Sequence, residues 1–127
     1  MDIQRIRSEV SQALTTFALV ELHPTSQGGV CVKAGLQTSD GNTYFIAIYF
    51  VDYPNRMPSV YMTTPTLRSD SANVHRYKDG NICYLHQSMW NPGRHTVSDV
   101  LARSAKWLNK YDVWCRKGRW PGAELKH

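Results

Sequence analysis

The fold is decided by a stretch bracketed by two prolines in the middle of the chain, Tyr53-Pro54-Asn55-Arg56-Met57-Pro58-Ser59-Val60. Residues 43–51 before it are β-branched and aromatic almost throughout, which predicts a central strand covered on both faces. A further strand is predicted over residues 59–63. The stretch itself is therefore expected to form a loop between two neighbouring strands.

The sequence before this loop predicts a helix followed by an antiparallel meander. Apolar residues recur at three- and four-residue steps near the start of the chain, at Ile3, Ile6, Val10, Leu14 and Phe17. This spacing is typical of an amphipathic helix, which Pro24 and the Gln27-Gly28-Gly29 stretch would end. Alternating apolar residues over residues 30–37 predict a half-buried strand, and Ser39-Asp40-Gly41-Asn42 predicts a tight turn after it.

The sequence after residue 63 contains one long irregular segment and a second helix. Residues 65–92 have little periodicity, and a connection of that length in a compact domain is usually functional or disordered. A helix is predicted to begin at Thr96 as its N-cap, with Asp99 three residues later, and to stop at Gly118. Its predicted apolar stripe consists of Val97, Val100, Leu101, Ala105, Leu108 and Tyr111.

Length and composition predict a single globular domain over residues 1–127. No apolar run approaches the ~20 residues that a membrane helix needs. The first residues carry dispersed charges and lack the apolar segment of a signal peptide. The three cysteines, Cys31, Cys83 and Cys115, are an odd count without close pairing, which is typical of a reducing compartment. We therefore expect a cytoplasmic protein without a membrane partner.

Positive charge is concentrated in the second half of the chain. The sequence up to Val74 carries five basic and six acidic residues, whereas ten basic and four acidic residues follow from His75 onward. This asymmetry fits a nucleic-acid surface. It also fits a surface that attracts an acidic protein partner and favours a thiolate. The plainer interpretation is a solvated helical face, because basic residues recur at helical spacing at Arg103, Lys106 and Lys110.

Cys83 is the candidate nucleophile of the irregular segment. A turn of sequence Lys78-Asp79-Gly80-Asn81 precedes it and would give access to the thiol, while neighbouring basic side chains and histidines would favour the reactive form. The alternative is a small buried hydrophobe between Ile82 and Tyr84. For Cys31, in a strand, and Cys115, at a helix end, that structural interpretation is the expected one.

Three other kinds of site are compatible with parts of the sequence. Cys83-x-x-His86, with His75 and His95, resembles a zinc ligand set, but it lacks a second pair of closely spaced ligands. A cysteine protease would pair Cys83 with His95 or His75, yet no local signature supports it. Aromatic and basic residues alternate from Trp107 to Trp120, as on a single-strand nucleic-acid platform or on a helix that simply packs its aromatic stripe. We expect no metal and no cofactor, and binding of nucleic acid is the least favoured function.

Taken in order, these motifs resemble the ubiquitin-conjugating enzyme family. The stretch from Tyr53 to Val60 matches the family's Tyr-Pro-x-x-x-Pro-x-Val, and Gly80-Asn81-Ile82-Cys83-Tyr84 is similar to its Gly-x-Ile-Cys-Leu. Trp90-Asn91-Pro92 followed by Thr96-Val97 is similar to its Trp-x-Pro-x-x-Thr-Ile. The resemblance implies an α+β fold with an N-terminal helix, an antiparallel four-stranded meander, a long active-site loop and a C-terminal helix.

Two departures from that family resemble its bacterial branch. The family's His-Pro-Asn is missing, and the position of its Asn, eight residues before the cysteine, holds His75. The chain also stops near Trp120, so we expect the C-terminal helices of the eukaryotic enzymes to be missing or reduced. The bacterial members occur in operons for cyclic-oligonucleotide-based anti-phage signalling (CBASS), where they act on a cGAS-like nucleotidyltransferase.

The resemblance implies an enzyme that forms a thioester on Cys83 and transfers the acyl group to an amine. The donor would be the C-terminus of a modifier or of the cGAS-like nucleotidyltransferase. His75 would polarise the oxyanion or accept the amine proton, with Asn81 and His86 as alternates and Trp90 supporting the loop. No phosphate-binding adenylation motif is present, so this chain is not expected to activate the carbonyl itself, and the need for a separate activating enzyme is left open. The remaining alternatives are a non-catalytic relative that only binds a partner and a basic nucleic-acid-binding domain.

Overall fold

The computed structural model describes residues 1–65 and 81–121, and its elements form the α+β arrangement that the sequence predicts. In chain order they are helix α1 (Ile3–Ala13), strands β1 (Leu19–Pro24), β2 (Val30–Gln37), β3 (Thr43–Tyr49) and β4 (Ser59–Thr64), a short 3-10 turn (Gln87–Met89) and helix α2 (Val97–Lys117). An N-terminal helix, an antiparallel meander and a C-terminal helix are thus confirmed.

The four strands form one sheet in the order β1-β2-β3-β4, with every neighbouring pair antiparallel. The turn between β2 and β3 closes through the Thr38 amide, which donates to the Asn42 carbonyl at 2.8 Å. Gly41 lies in this turn at φ +89°, a left-handed conformation that glycine adopts without a side-chain clash. The tight turn predicted at residues 39–42 is therefore confirmed.

The first helix ends earlier than its apolar spacing predicts. It stops at Ala13, and Leu14 is the C-cap with 49% of its surface exposed. Pro24 does not end this helix but ends β1, a strand that periodicity alone did not identify. β1 forms because its residues pair along β2 from Leu19 opposite Gly35 to Pro24 opposite Val30. The fourth strand implied by the family resemblance is thus present.

The core lies on one face of the sheet, under both helices. Alternate β3 residues Tyr44, Ile46 and Ile48 join a buried cluster with the apolar faces of α1 and α2. On the opposite face Phe45 is 41% and Tyr49 43% exposed. The prediction that β3 is covered on both faces was wrong, because both helices pack on the same side of the sheet.

Both ends of α2 are capped as the sequence predicts. The Thr96 side chain accepts a hydrogen bond from the Asp99 amide, and the Asp99 carboxylate accepts one from the Thr96 amide at 2.8 Å. This capping box satisfies backbone donors that the first helical turn leaves open. At the other end Gly118 adopts φ +73° and its amide donates to the Trp114 carbonyl. The predicted apolar stripe of α2 faces the core.

Two carboxylates fix the helices to the rest of the molecule. Glu9 of α1 accepts hydrogen bonds from the Tyr53 hydroxyl at 2.5 Å and from the Val97 amide at 2.9 Å. It also accepts one from the Arg5 Nε at 2.6 Å. Burial, and then the hydrogen bond to Glu9, raise the pKa of Tyr53. Glu9 thereby connects α1, the loop before β4 and the start of α2.

The second of these carboxylates, Asp112 of α2, is buried. It accepts hydrogen bonds from the hydroxyls of Thr38 and Tyr44 and from the Asn42 side-chain amide. Several donors of this kind compensate the cost of removing a carboxylate from water. Burial, and then the hydrogen bond to Asp112, raise the pKa of Tyr44. The end of α2 is thus attached to the β2–β3 turn.

Candidate active site around Cys83

The segment that begins at Asn81 is attached to the edge of the sheet. The Ile82 amide donates a hydrogen bond of 2.8 Å to the carbonyl of Val60 in β4. The side chains of Ile82 and Leu85 are buried in the core. Cys83 lies between them with 5% of its surface exposed. The backbone at Cys83 is therefore held in place by buried core residues on both sides.

Tyr84 attaches this segment to Pro58, the residue immediately before β4. Its hydroxyl donates a hydrogen bond of 2.6 Å to the Pro58 carbonyl, and its ring belongs to the core. No local signal identifies the Pro58 carbonyl as its acceptor, because the two residues are 26 positions apart.

The predicted supporting residues lie at different places around the segment. Asn81 is buried two residues before Cys83. His86 is the N-cap of the 3-10 turn, and its Nδ1 accepts a hydrogen bond of 3.2 Å from the Ser88 amide. Asn81 thus shares the buried segment of Cys83, whereas one nitrogen of His86 is engaged with the following turn. His75 and the 78–80 part of the predicted access turn lie outside the described residues.

Trp90 joins two proline motifs, the one at residues 53–60, which leads into β4, and its own Trp90-Asn91-Pro92. Its indole Nε1 donates to the Pro54 carbonyl at 2.8 Å, and its ring stacks on His95 with 5.2 Å between ring centroids. His95 is buried, and its Nδ1 accepts a hydrogen bond of 3.0 Å from the Asn91 amide. This geometry gives His95 a role in organising the turn after Trp90. The protease-like pairing of Cys83 with His95 receives no support from these contacts.

Arg5 is a further residue of this region that sequence reasoning missed. Its Nη2 donates hydrogen bonds to the carbonyls of Pro92 at 2.7 Å and His95 at 3.1 Å. The hydrogen bond to Glu9 is the main cause that raises the pKa of Arg5. The only signal in the sequence is the four-residue spacing of Arg5 and Glu9, which predicts an ion pair on one helix face. It does not predict contact with the turn after Trp90.

The aromatic stripe of α2 packs on itself and on the sheet. Trp107 and Tyr111 are buried and stack with 5.6 Å between ring centroids, and Trp120 lies 5.3 Å from Trp107. Arg103 and Lys106 lie on the exposed side. The packed stripe is confirmed, and the solvated basic face is confirmed for Arg103 and Lys106, whereas Lys110 is half-buried. Rings that contact each other in this way offer less surface for stacking on nucleic-acid bases.

Within residues 1–65 and 81–121, no three His, Cys, Asp or Glu side chains lie close enough together to hold a metal ion. No helix in the same two ranges is long and apolar enough to cross a membrane.

Solved structures with the same fold come from the ubiquitin system. The ubiquitin-conjugating enzyme E2 from Plasmodium falciparum has 21% sequence identity and a TM-score of 0.58, covering 84% of this chain and 96% of that one. The Vps23 UEV in complex with ubiquitin has 15% identity and a TM-score of 0.56, covering 82% of this chain and 81% of that one. The yeast Vps23 UEV domain in complex with a Vps27 PSDP peptide has 12% identity and a TM-score of 0.58, covering 96% of this chain and 85% of that one.

At these identities the likeness establishes the ubiquitin-conjugating fold and nothing beyond it. A search among curated proteins finds no significant match. The sequence profile of a family described as type II CBASS E2 protein, however, matches residues 8–127. This match covers all of the sheet, both attachments of the Cys83 segment and the whole of α2. The chain therefore belongs to the type II CBASS E2 protein family.

Proposed function

We propose that this protein is a conjugating enzyme of anti-phage defence that carries an acyl group as a thioester on Cys83. The donor is the C-terminus of a modifier or of a cGAS-like nucleotidyltransferase, and the acceptor is an amine. One observation carries the proposal: Cys83 lies between two attachments, from Ile82 to Val60 in β4 and from Tyr84 to Pro58 immediately before β4. A nucleophile needs such a fixed backbone to meet a partner's carbonyl in a reproducible geometry.

The proposed reaction consists of two acyl transfers. In the first, the Cys83 thiolate attacks a C-terminal carbonyl activated by a separate enzyme, and a C–S bond forms as the activating group leaves. In the second, an acceptor amine attacks the thioester, the C–N bond forms, and the C–S bond breaks to return the thiolate. The proton of the attacking amine passes to a base, for which His75 is the proposed residue because an unperturbed imidazole titrates near pH ~6.5.

Stabilisation of the tetrahedral oxyanion is the second task of the site. Donors near the carbonyl oxygen contribute most in a water-poor environment. Asn81 supports this proposal because it is buried two residues before Cys83. His75 is the alternative donor, and His86 is a further one. We propose that Trp90 serves indirectly, through its hydrogen bond to Pro54, by keeping the adjoining turns in place.

The alternative is a partner-binding relative without conjugating activity, and the cysteine distinguishes the two. Variants of the fold that only bind a partner typically lack this residue, whereas Cys83 is present here. We further propose that the protein acts in the cytoplasm, where its donor, its activating enzyme and a reduced thiol would be found together.

The test is co-expression with the neighbouring operon genes, followed by non-reducing gels and intact mass measurement. Wild type should carry a thiol-labile adduct whose mass identifies the donor. Cys83→Ser should convert it into a thiol-stable ester, and Cys83→Ala should abolish it. Cys115→Ser is the matched control, because Cys115 is half-buried near the end of α2, and it should keep the adduct. A folded wild type without any adduct would favour the partner-binding function.

His75 is tested separately by following discharge of the isolated thioester onto lysine. His75→Ala should form the thioester and release it more slowly, by about 100-fold, which is typical when a general base is removed. Asn81→Ala is compared in the same assay. An unchanged discharge rate in His75→Ala would transfer the role to Asn81 or to another residue.

A further inference from the structure

We propose that Tyr84 is a positioning residue for acyl transfer and that its hydroxyl keeps Cys83 in register with the edge of the sheet. The inference rests on the proposed function, because it concerns the geometry of the same thiol. It adds a side chain that the family motif does not predict, since the corresponding position of that motif is leucine. Leucine has no donor with which to make this hydrogen bond.

Two acceptors lie at the start of β4, one within the strand and one in the residue just before it. β4 is the last strand in the order of the sheet. The carbonyl of Val60 receives the Ile82 amide, and that of Pro58 receives the Tyr84 hydroxyl. Cys83 is therefore bracketed by one backbone and one side-chain hydrogen bond.

A single substitution can remove the hydrogen bond of Tyr84 without removing that of the Ile82 amide. The Tyr84 ring is buried in the core, and its hydroxyl donates a hydrogen bond of 2.6 Å to the Pro58 carbonyl. Tyr84→Phe keeps the ring and removes only the donor. The Ile82 attachment then remains, and the segment after Cys83 loses the hydrogen bond from Tyr84 to Pro58. Since a displacement of about 1 Å can slow an oriented reaction about 100-fold, the thiol should react in a poorer geometry.

The kinetic test compares Tyr84→Phe with Tyr49→Phe in single-turnover thioester formation, using the co-expressed donor and activating enzyme. Tyr49 is the matched control because it loses the same hydroxyl on the exposed face of the sheet, away from the core. Tyr84→Phe should lower the rate constant at saturating donor about 5- to 50-fold and leave the half-saturating donor concentration within about twofold. Tyr49→Phe should keep both the rate constant and the half-saturating donor concentration within about twofold of the wild-type values.

A second measurement separates positioning from a general loss of stability. The native proteins are alkylated with iodoacetamide, and the rate at each cysteine is followed by peptide mass. Cys31 is 4% exposed in β2 and reports opening of the sheet as a whole. In Tyr84→Phe the alkylation of Cys83 should accelerate about 3- to 10-fold while that of Cys31 stays unchanged.

Parallel acceleration at Cys83 and Cys31 would overturn the proposal, because the hydroxyl would then act only through overall stability. An unchanged rate constant at saturating donor together with unchanged Cys83 alkylation would also overturn it. If the wild type forms no thioester, the proposed conjugating function fails. Alkylation alone then decides whether the Tyr84 hydroxyl holds Cys83 in place, so the two failures are distinguishable.

Discussion

The indole of Trp90 and the carbonyl of Pro54 are joined by a hydrogen bond of 2.8 Å. This bond connects two turns that are 36 positions apart in the chain. The same indole stacks on His95 and lies 6.0 Å from the ring of Tyr53. The two proline motifs that suggested the fold are therefore parts of one packed unit, and the Cys83 segment lies between them in the sequence.

Trp90→Phe should destabilise the protein by about 1–3 kcal/mol, because the Pro54 carbonyl loses its donor while an aromatic ring is retained. Urea unfolding followed by far-UV circular dichroism measures this change. Met89→Ala is the matched control, since Met89 is the exposed neighbour in the same turn, and it should stay within about 0.5 kcal/mol of wild type. Equal stability of the two variants would contradict a structural role for the indole hydrogen bond.

Glu9→Gln should destabilise the protein by about 2 kcal/mol. The carboxylate accepts hydrogen bonds from Arg5, Tyr53 and the Val97 amide, and hydrogen bonds to a charged group contribute more than neutral ones. The neutral amide loses the ion pair with Arg5 and can accept at only one oxygen. Chemical denaturation again provides the measurement.

Glu21→Gln is the control for this change, because Glu21 lies on the exposed face of β1 with a contact of 3.7 Å to His23. Its unfolding free energy should differ from wild type by less than about 0.5 kcal/mol. A Glu9→Gln variant as stable as Glu21→Gln would show that the three donors find equivalent partners elsewhere.

Stability should fall in alkaline solution because two buried tyrosines resist ionisation. Burial, and then a hydrogen bond to a carboxylate, raise the pKa of both Tyr44 and Tyr53. Tyrosines of the unfolded chain ionise near pH ~10. Above that pH the unfolded chain releases protons that the folded chain retains, so the free energy of unfolding decreases as the pH rises. The contribution is complete below pH ~10 and declines by up to about 1.4 kcal/mol per pH unit for each hydroxyl above it.

Urea titrations between about pH 8 and pH 11 would measure this slope. Tyr44→Phe and Tyr53→Phe should each make it shallower, whereas Tyr49→Phe on the exposed sheet face should leave it unchanged. A slope that all three variants share with wild type would mean that these buried hydroxyls are not its source.

Features set by adjacent residues could be predicted from the sequence. The capping box of Thr96 and Asp99, the stop at Gly118 and the turn over residues 39–42 depend on chemistry within a few positions, and all three are confirmed. The early end of α1 could not be predicted in this way. Leu14 and Phe17 continue the helical spacing although the chain has already left the helix. Which face of β3 the helices cover also depends on tertiary packing, so the residue pattern there was ambiguous.

The same distinction between local motifs and distant contacts applies to the candidate site. Cys83 and Trp90 were identified because they stand in ordered motifs. The partners that hold them could not be found, since the acceptors of Tyr84 and Trp90 are backbone carbonyls far away in the chain. A backbone carbonyl is present at every residue, and therefore leaves no signal in the amino-acid sequence.

Arg5→Lys should loosen the turn that follows Trp90. Arg5 places Nη2 between the carbonyls of Pro92 and His95 while its Nε binds Glu9. A lysine ammonium cannot reproduce this forked geometry, since its donors radiate from a single atom. The His95 amide, which donates to the Asn91 carbonyl at 2.8 Å, should then exchange with solvent faster.

Hydrogen exchange followed by mass spectrometry measures this effect in a peptide covering residues 91–96. Its exchange in Arg5→Lys should accelerate about 10-fold, the factor expected when local opening becomes about 1.4 kcal/mol easier. Peptides from β3 should keep their wild-type rates, because the change is confined to one turn. Arg7→Lys is the matched control, since Arg7 is exposed on the same helix. If Arg5→Lys and Arg7→Lys exchange alike over residues 91–96, the guanidinium does not hold this turn. If β3 accelerates equally, the loss is global, and Arg5 acts through α1 as a whole.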